Sequence, residues 1–378
     1  FEVWVLDEAG KLGNKPLLEF LKLAEAKGAK VVLAGDSSQL PSVERGGVFK
    51  TFCERYGSEV LEDIQRQKDE AARSMAKNLA RGEIGEALDR LSKRGALSWS
   101  LTRKEAIENL VIKWARDHQE KDSSKVLGKD SSLIIAGTND EVRVLNEMVR
   151  LIRKGRGEIS ENEFACQTAH GTVYISEGDR IEFRKNDREL SVTNGMSGVL
   201  LKAEKNRFSV AVQEQGKKTR IVAFDPKEYH RFQLGYASTC SRAQGRTVQN
   251  TYVLHSPHLN KQMAYVGLTR HVKDVHYFVS KEDALNLSDL KRMALRDGSK
   301  VTTLEYTHTR EVEGALSIQK KEKTIQGLKE SNHFSDRIKG RALNLWDRFN
   351  EKTYAYLEKK QDRKLSKEFF NFKEDPKE

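Results

Sequence analysis

The sequence predicts an α/β protein built on parallel sheets, and three observations carry that prediction. Apolar strands alternate with amphipathic helices through the first third of the chain. The strands are short, near-continuous apolar runs, the pattern of strands covered on both faces. Each run closes in a small polar loop. Phe1–Leu6 ends at Asp7-Glu8, a helix follows over about 16–27, and Val31–Ala34 ends at Gly35-Asp36. The rhythm resumes with a strand at 96–100, a helix at 103–118, a strand at 133–136 and a helix at 139–154. Strands at 252–255 and 275–279 complete it.

Residues 163–228 read differently. Alternating segments at 172–176, 180–183, 208–213 and 219–224 are separated by Gly178-Asp179, Asn186-Asp187 and Asn194-Gly195. Such pairs tolerate positive φ and make tight turns, so the segment reads as a small inserted β-barrel. From 286 onward the chain is basic and helical, with Leu343, Trp346, Phe349 and Tyr356 spaced as packing residues of a helical hairpin. The predicted organisation is a first α/β unit at 1–62 and a second at 63–162 plus 229–285. The barrel occupies 163–228 and the tail 286–378.

A net charge of +11 and a pI near 9.3 favour a polyanionic partner. No run approaches the roughly 18 uncharged apolar residues of a membrane span, so membrane insertion is not expected. The apolar start lacks a basic leader and an initiator Met, and reads as a buried strand within a longer protein. Cys53, Cys166 and Cys240 show neither zinc nor disulfide spacing, which points to a reducing cytoplasm. Of the histidines, His255 and His258 follow an apolar strand and read as loop or surface residues.

The chemistry lies at strand ends, because the carboxyl edge of a parallel sheet is where α/β proteins bind ligands. Asp7-Glu8 can place one carboxylate near Mg²⁺ and the other on a water; the alternative is a solvated turn or helix cap. In the second loop Gly35 allows a tight turn, and Gln39 offers an amide that can orient a water or sense a phosphate. Two such loops on one sheet edge favour the functional reading.

The run Val5-Leu6-Asp7-Glu8-Ala9-Gly10, with Leu33-Ala34-Gly35-Asp36-Ser37-Ser38-Gln39-Leu40, resembles motifs II and III of superfamily 1 helicases, closest to the RecD-like branch. Residues 61–67, with Arg66, resemble motif IV; 236–247 resemble motif V; 264–270 resemble motif VI. The resemblance implies RecA-like P-loop NTPase domains, the first truncated, with an SH3-like barrel inserted in the second. It implies ATP and Mg²⁺ as cofactors. Asp7 would hold the metal, and Glu8 would polarise the water. Gln39 would couple the γ-phosphate to domain closure, and Arg66 and Arg270 would neutralise charge from the second domain. Gly35, Asp36, Gln244 and Gly245 fall on nucleotide-facing positions. Thr239, Ser241 and Arg242 fall on the loop that contacts single-stranded DNA; the usual histidine and lysine there are Ser241 and Arg242 in this chain. Thr138 either caps the following helix or touches a DNA phosphate.

Within that branch the chain looks most like the helicase part of TraA-type conjugative relaxases. That implies 5′→3′ movement on single-stranded DNA, with the relaxosome and type IV secretion coupling proteins as partners. The histidine cluster of a relaxase domain does not occur, nor does GxxxxGK[ST]. The phosphate-binding loop is therefore expected upstream of Phe1, and the chain alone is expected to hydrolyse ATP negligibly. A nucleic-acid-binding remnant with a decayed ATPase, and a chromosomal RecD-like repair helicase, are the competing readings.

Overall fold

A computed structural model describes residues 2–42, 48–61, 63–118, 132–169, 171–212 and 218–298. The helical hairpin expected around Leu343–Tyr356 lies outside them.

The chain opens with β1 (Val3–Leu6), α1 (Asn14–Ala26) and β2 (Lys30–Leu33). The two strands pair in parallel, Val3 with Lys30 through Leu6 with Leu33. Cover on both faces was expected here, and the structure differs: Val3 is 57% and Val5 65% exposed, because among the described residues nothing packs on that face. Then follow α2 (Val48–Tyr56), α3 (Glu70–Arg81) and α4 (Ile84–Lys93). None of the three was anticipated, although α3 and α4 each bury one apolar stripe, such as Met75 and Leu79 or Ile84 and Leu88.

The second unit is a five-stranded parallel sheet. Its strands are β3 (Leu97–Ser100) and β4 (Leu133–Ala136), then β12 (Ala237–Thr239), β13 (Val248–Leu254) and β14 (His271–Ser280), in the order β12-β4-β13-β14-β3. All four residues of β4 are fully buried, as a central strand covered on both faces requires. Successive side chains point to opposite faces. Leu133 and Ile135 join the core under α3, α4, α8 (Lys261–Leu268) and α9 (Leu287–Ala294). Ile134 and Ala136 join the core under α5 (Arg103–Asp117) and α6 (Asn139–Gly155). Each fully buried Leu or Ile contributes about 1.5–3 kcal/mol of transfer free energy. The short helix α7 (Cys240–Ala243) links β12 to β13.

Between α6 and β12 the chain builds a separate antiparallel unit. The hairpin of β5 (Phe164–Thr168) and β6 (Gly171–Ile175) lies against a five-stranded sheet. That sheet comprises β7 (Arg180–Phe183), β8 (Ser197–Glu204), β9 (Arg207–Val212), β10 (Arg220–Phe224) and β11 (Phe232–Leu234), ordered β10-β9-β8-β7-β11. One core of Ile175, Phe183, Phe208, Phe224 and Phe232 serves both pieces. The β strands run past 228: β11 pairs with β7, and two residues later β12 enters the parallel sheet beside β4. The insert is fastened to α6 by a buried network. Asp179 accepts from Arg150 Nε at 2.8 Å, from the Ser176 amide at 2.7 Å and from the Tyr236 hydroxyl at 2.8 Å.

Candidate nucleotide cleft and nucleic-acid face

Register alone brings the first two loops together. With Leu6 opposite Leu33, Asp7-Glu8 and Gly35-Asp36 leave the same edge, and the Ala9 amide donates to Ala34 O at 2.8 Å. Glu8 adopts φ 54 and ψ 38, a left-handed conformation that costs a residue with a side chain about 1–2 kcal/mol. Its carboxylate meets Lys11 Nζ at 3.5 Å and Gln244 Nε2 at 3.5 Å. Gly245, next in the chain, has φ 84, and a Cβ there would lie 3.8 Å from Glu8 Oε1. Motif V thus bears directly on the carboxylate that ends β1.

Asp36 is the hub of the opposite side. Its Oδ1 accepts from the Ser38 amide at 2.9 Å; its Oδ2 accepts from Gln39 Nε2 at 2.9 Å and from the Tyr265 hydroxyl at 2.8 Å. Tyr265 lies on α8, so this contact joins the first unit to the second. Gln39 keeps a buried carbonyl oxygen with no donor. Arg66 donates from Nε to Thr247 Oγ1 at 2.9 Å and from Nη1 to Thr269 O at 3.0 Å. Beside it Gln67 Nε2 donates to the carbonyls of Thr269 and His271, tying motif IV to motif VI.

Arg270 is 2% exposed and, among the described residues, donates to Val266 O at 3.1 Å and Thr269 Oγ1 at 2.8 Å. Burial first, and then neighbouring Arg66, bring its guanidinium down to about 10. Burial likewise lowers Arg66. Both arginines sit in the field of Glu8 and Tyr265, and among the described residues neither forms an ion pair with a carboxylate. Two desolvated guanidinium groups without a counter-ion fit a polyphosphate. Asp7 fits Mg²⁺ only as a single carboxylate, the usual protein share of a metal held mainly by substrate phosphates.

The structure thus brings Glu8, Asp36, Gln39, Arg66, Gln244, Gly245 and Arg270 into one cleft. Asp7 stays exposed at its edge, with Oδ1 accepting from the Glu8 amide at 2.8 Å. Gly35 needs correction in its reason: its φ is not positive, but a Cβ there would sit 3.1 Å from the Phe49 ring and 3.3 Å from Gly10 N, so close packing demands glycine. Sequence reasoning missed Tyr265, Gln67 and Thr247 as site residues, although all three stand inside the motifs that were read, and it missed Phe49 entirely. Only packing shows which hydroxyl or amide reaches across.

A second group lies at the carboxyl ends of β4 and β12. Thr138 is the helix cap of α6: its hydroxyl oxygen accepts from the Glu141 amide at 3.2 Å, while Glu141 Oε2 accepts from the Thr138 amide at 3.1 Å. Thr239 Oγ1 accepts from Arg242 Nε at 3.0 Å, and Arg242 Nη2 donates to Asn139 Oδ1 at 2.5 Å. Ser241 is exposed beside them. His258 is exposed as expected, but His255 is not a surface residue. It follows β13 directly and is fully buried, its Nδ1 2.9 Å from the Tyr277 hydroxyl and its amide donating to Phe278 O at 2.8 Å, so the buried sheet edge continues one residue past the strand.

An AAA domain family matches residues 2–102, and the viral superfamily 1 RNA helicase core domain matches residues 160–279. The probable conjugal transfer protein TraA of Sinorhizobium fredii is 33% identical over 304 residues, 80% of this chain and 27% of that protein. The chain carries superfamily 1 helicase domains and is a homologue of TraA. The ATP-dependent RecD2 DNA helicase of Deinococcus radiodurans is 28% identical over 285 residues, 71% of this chain and 35% of that protein. A crystal structure of Bacteroides Pif1 bound to ssDNA aligns with a TM-score of 0.49 and 17% identity, covering 79% of this chain and 73% of that one. The chain spans about a quarter of the length of its TraA relatives. Among the described residues no helix is long and apolar enough to cross a membrane.

Proposed function

We propose that this chain is the greater part of an ATP-driven motor, within a TraA-type conjugative relaxase of the cytoplasm, that moves along single-stranded DNA. The observation that carries the reading is the pair of fully buried Arg270 and partly buried Arg66, which among the described residues form no ion pair with a carboxylate and lie in the field of Glu8 of the other unit, with Asp36 acting on Arg270 as well. Bound ATP with Mg²⁺ supplies the phosphoanhydride whose cleavage drives the cycle. Asp7 is the metal ligand, and Glu8 takes a proton from the attacking water. Arg66 and Arg270 neutralise charge that grows on the phosphate oxygens. Gln39, tethered through its amide nitrogen to Asp36, keeps its carbonyl oxygen for the water or the phosphate. Thr239, Ser241 and Arg242 hold the strand through its backbone, without reading sequence. Movement in the 5′→3′ sense, and partnership with the relaxosome and type IV secretion coupling proteins, belong to the same reading.

The experiment compares the parent protein, including its phosphate-binding loop, with the same protein carrying Glu8→Gln. DNA-stimulated ATP hydrolysis should fall by about 10²–10⁴ on losing the base, while single-strand binding persists. Hydrolysis within tenfold of the unsubstituted protein would remove Glu8 from the mechanism. Residues 1–378 alone should show negligible hydrolysis, and robust turnover by that polypeptide would contradict the need for an upstream loop.

A further inference from the structure

Glu8 has a cationic neighbour within its own turn. Ala9–Lys11 form a single turn of 3-10 helix that starts from Glu8 in its left-handed conformation, and the Lys11 amide donates to Glu8 O at 2.9 Å. A 3-10 helix has three residues per turn, so side chains at i and i+3 lie one above the other. Lys11 is thereby set over Glu8, with Nζ 3.5 Å from Oε1. The other carboxylate oxygen, Oε2, lies 3.5 Å from Gln244 Nε2. The second unit also covers the pair: a Cβ on Gly245 would lie 3.6 Å from Lys11 Nζ and 3.8 Å from Glu8 Oε1.

Lys11 is unlike the two arginines of the cleft. Arg66 and Arg270 are desolvated and, among the described residues, have no carboxylate partner, whereas Lys11 is paired and its side chain is 35% exposed. Its charge is spent on Glu8. A base must offer the water a lone pair, and here an ammonium and an amide each stand against one carboxylate oxygen. An ion pair open to solvent shifts an equilibrium by only about two- to fivefold, so a small rearrangement undoes it. The element placed to cause one is α7. Thr239 stands at its start, Ser241 and Arg242 lie within it, Gln244 closes it and Gly245 follows. Four helical residues span about 6 Å, so a shift at the strand-holding end is felt at Gln244 and Gly245.

We propose that Lys11 is a positioning residue that holds Glu8 back from the water while no strand is bound. A strand engaged at 239–242 draws Gln244 and Gly245 off the pair, and Glu8 is released. The proposal rests on the reading of Glu8 as the base and of the motif V loop as strand-holding, and adds to it the group that restrains the base. In this role Lys11 acts through Glu8 and touches neither nucleotide nor strand.

Two measurements test it. The first is lysine acetylation of residues 1–378 without nucleotide, read residue by residue by mass spectrometry, with exposed Lys22 on α1 as the internal reference. Lys11 should react about two- to fivefold faster once oligothymidylate is bound, and as fast without it in Glu8→Gln. The second uses the parent protein. Lys11→Met should raise DNA-free ATP hydrolysis about two- to fivefold and leave the DNA-saturated rate and the KM for ATP unchanged, with Lys11→Arg restoring the restraint. A lysine that merely supports the turn predicts that both rates fall together. That result overturns the restraint, as do unchanged rates, an equal rise in both, or Lys11 labelling that bound oligothymidylate leaves unchanged or lowers. The labelling of the unsubstituted chain decides even where Lys11→Met does not fold. No oligothymidylate binding, or no DNA-stimulated hydrolysis by the parent protein, overturns the motor reading and the restraint with it.

Discussion

Replacing Arg270 by methionine should leave the chain at least as stable as before, while abolishing what the parent protein does with ATP. Arg270 is 2% exposed, and its hydrogen bonds go to a backbone carbonyl and a threonine hydroxyl rather than to a carboxylate. Methionine has similar length and no charge. Losing two hydrogen bonds costs about 0.5–1.5 kcal/mol each. The acceptors are not stranded, since Val266 O also accepts from the Thr269 amide and Thr269 Oγ1 also donates to Tyr265 O. Replacing a buried charged group by a well-packed apolar one returns about 1–4 kcal/mol, and here it also relieves repulsion from Arg66. Together these ranges run from a loss of about 2 to a gain of about 3 kcal/mol, and relief of the repulsion places the expected effect at about zero or a modest gain. Urea is the denaturant to use, because it leaves electrostatics unscreened. Trp99 on β3 and Trp114 on α5 report on the sheet whose strand β14 begins at the residue after Arg270. In the parent protein the same substitution should cost about 10³–10⁵ in hydrolysis. A loss of more than about 2 kcal/mol would show that Arg270 is a structural residue, and the argument for a polyphosphate partner would fail with it.

Asp179→Ala should act in the opposite direction. It removes the buried carboxylate that pairs with Arg150 and accepts from the Tyr236 hydroxyl, leaving Arg150 with Glu163 and Ser176 alone, and should cost about 3 kcal/mol in urea unfolding; a loss under about 1 kcal/mol would refute the fastening role of that network. Tyr265→Phe removes the contact to Asp36, a hydrogen bond to a charged group worth about 1.5–3 kcal/mol, at the low end here because it is only partly buried. Unchanged stability in that variant would mean the two units do not hold each other through it. Burial holds His255 and His271 down at about 4, against an ordinary 6.5. The unfolded chain therefore takes up protons first: stability is complete above about pH 6.5 and is lost as the pH falls toward 4, by on the order of 3 kcal/mol per ring. A flat profile across that window would contradict it. Burial also pushes the Cys166 thiol up to about 11 and the Cys240 thiol up to about 12. One thiol, Cys53, should thus react quickly with a disulfide reagent in the native chain, with the other two following only on unfolding.

Local pattern made much of the fold legible. The helix read at 103–118 is α5, and the helix read at 139–154 is α6, opened by a capping box that Thr138 and Glu141 announce in sequence. The strand at 133–136 is β4 to the residue. Helices α3 and α4 escaped although their apolar stripes are local, while two of the strands that escaped owe their identity to distant partners. β8 carries Leu200-Leu201-Lys202 and exposes Leu201, and it becomes a strand by lying between β7 and β9. β12 has three small residues and no apolar run; the pairing of Ala237 with Ile134 makes it a strand.

The cleft shows the same division more sharply. Residue type and position at a strand end single out Glu8, Asp36 and Gln39, because parallel pairing forces consecutive strand ends onto one edge. Arg66 and Arg270 are separated by about 200 residues, and no periodicity relates them. They meet because Gln67 ties the backbone after Arg66 to the carbonyls on either side of Arg270. A charge so placed is unfavourable for folding on its own. Its cost is also why it is informative. A surface arginine would have found a carboxylate, and Glu8 and Asp36 are close enough to act electrostatically on Arg270 without pairing with it. Each carboxylate is instead engaged on its own side, Glu8 by Lys11 and Gln244, Asp36 by Gln39 and Tyr265. Guanidinium groups are held apart from carboxylates across a gap that a phosphate can bridge, which is the charge arrangement the proposed nucleotide site requires.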